Sequence, residues 1–139
     1  MSDVSLATAP ESPLTYPLAR IPEPGEMMEA APGIYWVRMP LPFQLNHINL
    51  WMIEEENGWT LVDTGVDTEE VRNLWTQIFS TQLKGKKITR VIVTHLHPDH
   101  VGLAGWICRE FGVELHMSRT DFLMCRNLVL DTGRAAPQE

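Results

Sequence analysis

Cysteine is scarce in this sequence, and stretches that would indicate export or membrane insertion are missing. Only two cysteines occur among 139 residues, Cys108 and Cys125, and they form no Cys-x-x-Cys pair. Residues 1–15 contain prolines and acidic or neutral side chains, without the basic start and apolar run of a secretion signal. No stretch approaches the roughly 20 apolar residues that cross a bilayer. We therefore expect a protein of the reducing cytoplasm with two free thiols and no membrane contact.

Positive charge is also in short supply. The 11 lysines and arginines are outnumbered by 18 aspartates and glutamates, which gives a net charge of −7. Such a charge repels a phosphate backbone, so we expect a small-molecule substrate rather than a nucleic acid. A local basic patch or a bound metal can still hold a phosphate, so charge alone leaves phosphodiester chemistry open.

The composition divides the chain into three parts. Residues 1–29 are rich in Pro, Ala, Ser and Glu and show neither helical nor strand periodicity, which predicts a flexible or loosely docked lead-in. Residues 30–126 carry the patterns of regular structure. Residues 127–139 are interpreted as a polar tail that marks a point of truncation.

Strand and turn signals follow one another from Gly33 onward. β-Branched and aromatic runs predict strands over residues 34–39, 48–55, 59–63, 88–94 and 113–117. The Asn57-Gly58 dipeptide favours a tight hairpin turn between the second and third of these strands. Three adjacent β-branched residues at 91–93 predict that the fourth strand is buried on both faces.

Helical patterns alternate with the later strands. The first helix is predicted to be capped by Asp67. A second helix is predicted over residues 102–111, with Gly112 as its stop, and a third opens at Ser118 with Asp121 three residues on. The order of hairpin, helix, strand, helix, strand and helix predicts half of a layered α/β domain.

Histidine is concentrated at one place, where three of the five histidines fall within six residues. His95, His97, Asp99 and His100 follow a predicted strand and precede a helix, which is where α/β proteins bind ligands. His95 and His97 are two residues apart in an extended segment and project from one side. Pro98 keeps His97 extended. Because neutral imidazoles and a carboxylate suit zinc, manganese or iron, the sequence predicts these four residues as metal ligands.

The His-x-His-x-Asp-His pattern after a hydrophobic strand resembles the signature of the metallo-beta-lactamase superfamily, and LVDTG at residues 61–65 resembles its first motif. The resemblance covers residues 30–126. It implies an α/β fold, an αββα sandwich of which this chain supplies the first half only. The family's further ligands, a third histidine, a bridging aspartate and a last histidine, have no counterpart after His100, because His116 is interpreted as a packing or surface residue.

The resemblance also implies roles for individual residues. His95 and His97 would bind the first of two divalent metal ions, and Asp99 and His100 the second. Asp99 would also hold the nucleophilic water and is the implied catalytic residue. Asp63 would lie beneath the loop and order it by hydrogen bonds, although on the residues alone it is equally an ordinary turn residue. Zinc is the expected metal, with manganese or iron as alternatives.

The implied function is metal-dependent hydrolysis of an ester, thioester, lactone or amide by a metal-bound hydroxide, similar to glyoxalase-type and lactonase-type members. The alternatives are a non-catalytic metal-binding or partner-binding remnant, a phosphodiesterase or nuclease, and an iron sulfur dioxygenase. Phe43 and His47 would form the rim of the substrate site. The alternative is that their loop docks on the core. Half of a two-sheet domain leaves one sheet face uncovered, so we expect self-association or a missing second half, and no turnover by this chain alone.

Overall fold

In the computed structural model, which describes residues 15–130, six strands form one sheet in chain order. The strands are β1 (Met27–Ala31), β2 (Ile34–Pro40), β3 (His47–Glu55), β4 (Gly58–Val62), β5 (Ile88–Ile92) and β6 (Leu115–His116). The helices are α1 (Glu69–Thr81), α2 (Pro98–Val101), α3 (Ala104–Phe111) and α4 (Arg119–Leu130). The first four strands pair antiparallel, whereas β5 pairs parallel with β4 and with β6. This α/β architecture confirms the predicted fold class.

The hairpin of β3 and β4 confirms the predicted hairpin, but its two connecting residues are Glu56 and Asn57, and Gly58 is the first residue of β4. Glu55 pairs with Gly58, so the two strands are joined by the shortest of connections. Gly58 also allows β5 to approach closely, because a Cβ at this position would lie 2.3 Å from Thr89 Cγ2 and 2.6 Å from the Lys87 carbonyl. The glycine therefore serves both the turn and the seam between β4 and β5.

The two faces of the sheet differ in burial. Alternate residues on β2 and β3 are buried, and with buried apolar residues of β4 and β5 they form the core together with Trp75 and Ile78 of α1 and Ile107 of α3. The opposite face carries Trp36 and Trp51, whose rings stack 6.4 Å apart, and Trp51 is 37% exposed. Side chains alternate between faces along a strand, so burial of one face leaves every second residue outside.

The prediction that β5 is buried on both faces is wrong. Val91 and Val93 are buried, whereas Ile92 is only half-buried and Arg90 is exposed. Residues 90 and 92 lie on the face that carries Trp51, and within residues 15–130 that face is only partly covered. A run of β-branched residues therefore indicates a strand here, but not what covers its second side.

The first helix begins one residue later than predicted from Asp67. Thr68 is the N-cap, with an extended backbone and a hydroxyl oxygen that accepts the Val71 N–H at 3.2 Å. Asp67 instead pairs with Arg72, whose Nε and Nη2 lie 2.7 and 2.9 Å from its carboxylate oxygens. Hydrogen bonds from Arg72 lower the pKa of Asp67.

Regular structure in the described residues crosses the predicted boundaries of the lead-in and the tail. The end of the lead-in is β1, where the Met27 N–H donates to Gln82 Oε1 at 2.8 Å and Gln82 Nε2 donates to the Gly25 carbonyl at 2.7 Å. At the other boundary, α4 continues through the first residues of the predicted tail to Leu130. Residues 1–14 and 131–139 lie outside the described residues, and the predictions for them are not tested.

Both cysteines are free thiols and half-buried. Burial raises the pKa of the Cys108 thiol, which disfavours the reactive thiolate. Cys108 lies against the core cluster and acts as a small packing residue, as its apolar neighbours in the sequence predict. In the part of the chain that the structure describes, no helix is both long and apolar enough to cross a bilayer.

Candidate metal centre

The candidate site lies at the carboxyl ends of the parallel strands β4 and β5. Val62 pairs with Ile92, and the Asp63 N–H donates to the Ile92 carbonyl at 2.8 Å. The loops that leave these two strands therefore start side by side. One carries Asp63, and the other, hereafter the metal loop (residues 94–100), carries the histidine cluster. This is the edge of a parallel sheet where ligands bind.

Asp63 is buried beneath the metal loop with every carboxylate contact made to that loop. Oδ1 accepts the Thr94 N–H at 2.8 Å, and Oδ2 accepts the Thr94 hydroxyl at 2.9 Å. Oδ2 also lies 2.8 Å from His100 Nδ1. The residue is 6% exposed and has a left-handed backbone, with φ of 61°, which aspartate tolerates better than most residues. The geometry is that of a supporting carboxylate rather than of an ordinary turn residue.

The hydrogen bonds of Asp63 set the proton positions on His100. Because a carboxylate only accepts, Nδ1 of His100 carries the hydrogen and donates it to Asp63. Nε2 then bears the lone pair, and it lies 3.5 Å from Asp99 Oδ2. A carboxylate that orients a histidine in this way is the usual support of a metal-binding imidazole.

The same carboxylate reaches His95 through Thr94. The Thr94 hydroxyl donates its single hydrogen to Asp63, so at 2.9 Å from His95 Nδ1 it can only accept. His95 therefore carries its hydrogen on Nδ1 and presents a lone pair at Nε2. One buried carboxylate sets the tautomers of two histidines in this way, and Thr94 is a site residue that the sequence reasoning missed.

The ring of His95 lies against the rings of the other two histidines of the metal loop. The His95 ring centroid lies 4.6 Å from that of His97 and 3.9 Å from that of His100. His97 has the extended backbone predicted before Pro98, with φ of −61° and ψ of 144°. His95 Nε2 lies 3.1 Å from His97 Nδ1, so the two rings share a hydrogen bond.

The donor set fits a divalent metal ion in its chemistry, whereas the side-chain placement is not that of a loaded site. Three imidazoles and the half-buried Asp99 carboxylate are the ligands that zinc takes. Within residues 15–130, no three His, Cys, Asp or Glu side chains are arranged to hold an ion. His95 Nε2 and His97 Nδ1 instead face each other in a hydrogen bond. His97 is exposed, so its ring has space to turn away.

Thr64 joins the two loops a second time. Its N–H and its hydroxyl both donate to the His100 carbonyl at 2.8 Å, and the hydroxyl accepts the Leu103 N–H at 3.1 Å. The Thr64 carbonyl accepts the indole N–H of Trp75 at 2.8 Å, which ties the site to α1. Thr64 is fully buried. The sequence motif includes this residue, but nothing local to it indicates these partners.

The predicted rim residues lie at the same end of the sheet as the metal loop. Trp51 pairs with Val62 at the end of β4, and β3 continues beyond that point to His47. Phe43, in the loop between β2 and β3, is 62% exposed and therefore does not dock on the core. His47 is the first residue of β3, and its Nδ1 lies 2.9 Å from Asn46 Oδ1. Contact of Phe43 and His47 with a substrate remains a prediction.

The structure places the His116 side chain at the surface. The residue is exposed on β6, where it pairs with Ile92, and its carbonyl accepts the Val93 N–H at 2.8 Å. Its contribution is through the backbone, as an edge residue of the sheet. This agrees with the interpretation of His116 as a surface residue.

Comparison with known proteins gives one consistent family. The family model described as "Metallo-beta-lactamase superfamily" matches residues 44–139. A protein from Bacillus subtilis, "Probable metallo-hydrolase YqjP", is 28% identical over 96 residues, which are 68% of this chain and 30% of that protein. Ribonuclease Z of Lactococcus lactis is 41% identical over 61 residues, which are 43% of this chain and 18% of that enzyme.

A solved structure resembles the chain over more of its length. It is a beta-lactamase domain protein from Burkholderia ambifaria, with a TM-score of 0.76 and 44% sequence identity. The match covers 81% of this chain and 36% of that one. The chain therefore spans less than half the length of each of these proteins.

Proposed function

Because the chain belongs to the metallo-beta-lactamase superfamily, we propose that it is the metal-binding part of a metal-dependent hydrolase. One observation carries the proposal. Asp63 is buried, is bonded to Thr94 and His100, and through them sets the tautomers of His95 and His100 so that both present an Nε2 lone pair. Hydrogen bonds to a buried carboxylate would stabilise any loop, but the two tautomers that they set are those that metal-binding imidazoles require.

The residues proposed to hold the metal are His95, His97, Asp99 and His100. A bound zinc ion supplies a Lewis acid, and a pair of ions lowers the pKa of a shared water toward about 7. Asp99 is half-buried beside His100 and is proposed to orient the attacking water by accepting its hydrogen bond. Asp63 and Thr94 keep the imidazoles in the required tautomers throughout.

The proposed substrate is an ester, thioester, lactone or amide of a small molecule. The net charge of −7 and the carboxylates of Asp63, Asp99 and Asp121 around the metal loop disfavour a polyanion. Phe43 is an exposed apolar side chain at the same end of the sheet and is proposed, with His47, to contact the organic part of the substrate.

We expect the chain to bind zinc through the metal loop. In calorimetric titration and elemental analysis of the purified protein, bound zinc should exceed that of a His95→Ala/His97→Ala double variant, because the double variant lacks two of the four donors. His116→Ala is the matched control, since this exposed histidine lies outside the donor set and its loss should not change binding. Equal zinc binding by the chain and the double variant would refute the proposal.

Similarity to ribonuclease Z favours phosphodiester hydrolysis as a second candidate function. The two candidates can be separated with a chimera in which this chain replaces the matching part of the Burkholderia protein. With zinc or manganese added, we expect the chimera to hydrolyse thioesters or lactones faster than phosphodiesters, and the 139-residue chain to bind metal without turnover. A preference for the phosphodiester would favour the second candidate. Equal rates in the chimera and in a chimera that carries His95→Ala/His97→Ala would show that the activity does not come from this site.

A further inference from the structure

A second carboxylate reaches the metal loop from a distant part of the chain. Asp121, in the first turn of α4, accepts the N–H of Leu96 with Oδ1 at 3.2 Å. Leu96 lies between His95 and His97. The bond therefore joins α4 to the backbone between two of the proposed ligands.

The Asp121 side chain is held in place by the helix that carries it. Its N–H donates to Ser118 Oγ at 3.0 Å, and the Ser118 hydroxyl donates in return to Asp121 Oδ2. The hydrogen bond from Ser118 lowers the pKa of Asp121, and the hydrogen bond from the Leu96 backbone adds a smaller effect in the same direction. Ser118 thus occupies one carboxylate oxygen and leaves the other for the metal loop.

The two carboxylates hold the metal loop on both sides of His95. Asp63 accepts the N–H of Thr94, and Asp121 accepts the N–H of Leu96. The loop at this point belongs to no strand or helix, so these bonds take the place of the sheet hydrogen bonds that end with β5. A backbone restrained at both neighbours leaves His95 few orientations.

We propose that Asp121 is a positioning residue of the metal centre, which holds Leu96 so that His95 and His97 converge on one ion. The proposal rests on the proposed metal-binding function. Ligands that must be reoriented bind more weakly, because the entropy of ordering them opposes binding. Loss of the Asp121 bond should therefore weaken metal binding although Asp121 touches no metal.

Three variants separate positioning from capping of α4. Asp121→Ala removes the acceptor for Leu96, Asp121→Asn keeps a neutral oxygen that can accept the same N–H, and Ser118→Ala removes the hydroxyl that caps α4 while the Asp121 carboxylate remains. Because an N-cap stabilises a helix, Ser118→Ala should lower the thermal unfolding midpoint. It should disturb the metal loop less than Asp121→Ala does, because the acceptor for the Leu96 N–H is kept.

The experiment measures zinc affinity by calorimetry, the visible spectrum of bound Co(II), and amide exchange of Leu96 by NMR in the 139-residue chain. For Asp121→Ala we expect about tenfold weaker zinc binding, the lower end of the effect of a supporting residue, with an altered Co(II) spectrum and faster Leu96 exchange. Asp121→Asn should restore most of the affinity. Ser118→Ala should lose less affinity than Asp121→Ala, because the carboxylate that accepts the Leu96 N–H is still present.

Unchanged affinity and spectrum in Asp121→Ala would overturn the inference, as would an equal loss in Ser118→Ala. If Asp121→Ala does not fold, Asp121→Asn is the test of the inference. Weakened zinc binding in folded Asp121→Asn would show that the acceptor for the Leu96 N–H is not what matters. Absence of zinc binding by the unsubstituted chain would instead refute the proposed function. Leu96 exchange would then still report whether Asp121 holds the loop.

Discussion

Asp63→Ala will lower zinc affinity by about 100-fold, the upper end of the range for residues that support a ligand. The substitution removes the acceptor for Thr94 and for His100, so the tautomers of both His95 and His100 are no longer set. It also places alanine at a φ of 61°, a conformation that costs about 1 kcal/mol or more for such a residue. Calorimetric titration with zinc measures the loss of affinity.

Asp63→Asn separates the electrostatic effect from backbone strain. Asparagine tolerates the left-handed conformation, and its single carbonyl oxygen can still accept the Thr94 N–H. The asparagine amide nitrogen stands in place of Oδ2 and cannot accept the hydrogen bonds from Thr94 Oγ1 and His100 Nδ1. We therefore expect this variant to fold but to bind zinc weakly. Asp67→Ala is the control, because Asp67 is exposed and pairs with Arg72. Full zinc affinity in Asp63→Asn would mean that Asp63 is only a turn residue.

Gly102→Ala will reduce the free energy of unfolding by about 3 kcal/mol, the upper end of the usual cost of overpacking. A Cβ at this position would lie 2.5 Å from the Pro98 carbonyl oxygen, 2.7 Å from that of Gly65 and 2.9 Å from the Asp67 nitrogen. All three are backbone atoms, so no side chain can rotate to make room. The clash would push apart the two loops that form the site, and denaturant unfolding should show the loss.

Gly105→Ala is the matched control for the volume of the added methyl group. Gly105 lies in α3, and the nearest atom to its Cβ would be Arg109 Nη1 at 3.3 Å, the end of a flexible side chain. Because alanine is a better helix former than glycine, by about 1 kcal/mol at most, this variant should be as stable as the unsubstituted chain or more so. Comparable destabilisation by both substitutions would show that the Gly102 contacts are not the cause.

The features that the sequence predicted correctly are those in which the physical cause is local. Gly112 ends α3 with a φ of 64°, a conformation that glycine adopts without strain. Pro98 restricts His97 directly. Each of these depends on atoms only a few residues apart, so each is visible in a short stretch of sequence.

The features that were predicted wrongly depend on partners far along the chain. Strand β1 is tied to Gln82, 55 residues away, and no local periodicity reveals it. At α1, Asp67 and Thr68 are both good caps, and the pairing of Asp67 with Arg72 is consistent with Thr68 serving as the cap. The burial of β5 depends on what covers each face of the sheet, which the composition of the strand does not contain.

For the candidate site, the sequence by itself determined the donor set: His95, His97, Asp99 and His100 occur within six residues after a strand. Only the tertiary structure decided which groups support that set. Asp63 is 31 residues from Thr94, and Asp121 is 25 residues from Leu96, yet each carboxylate accepts a hydrogen bond from the backbone of the metal loop. The reason is the parallel pairing of β5 with β4 and with β6. It brings the carboxyl ends of strands that are separated by helices to one edge of the sheet, where the buried carboxylate of Asp63 must find hydrogen-bond donors.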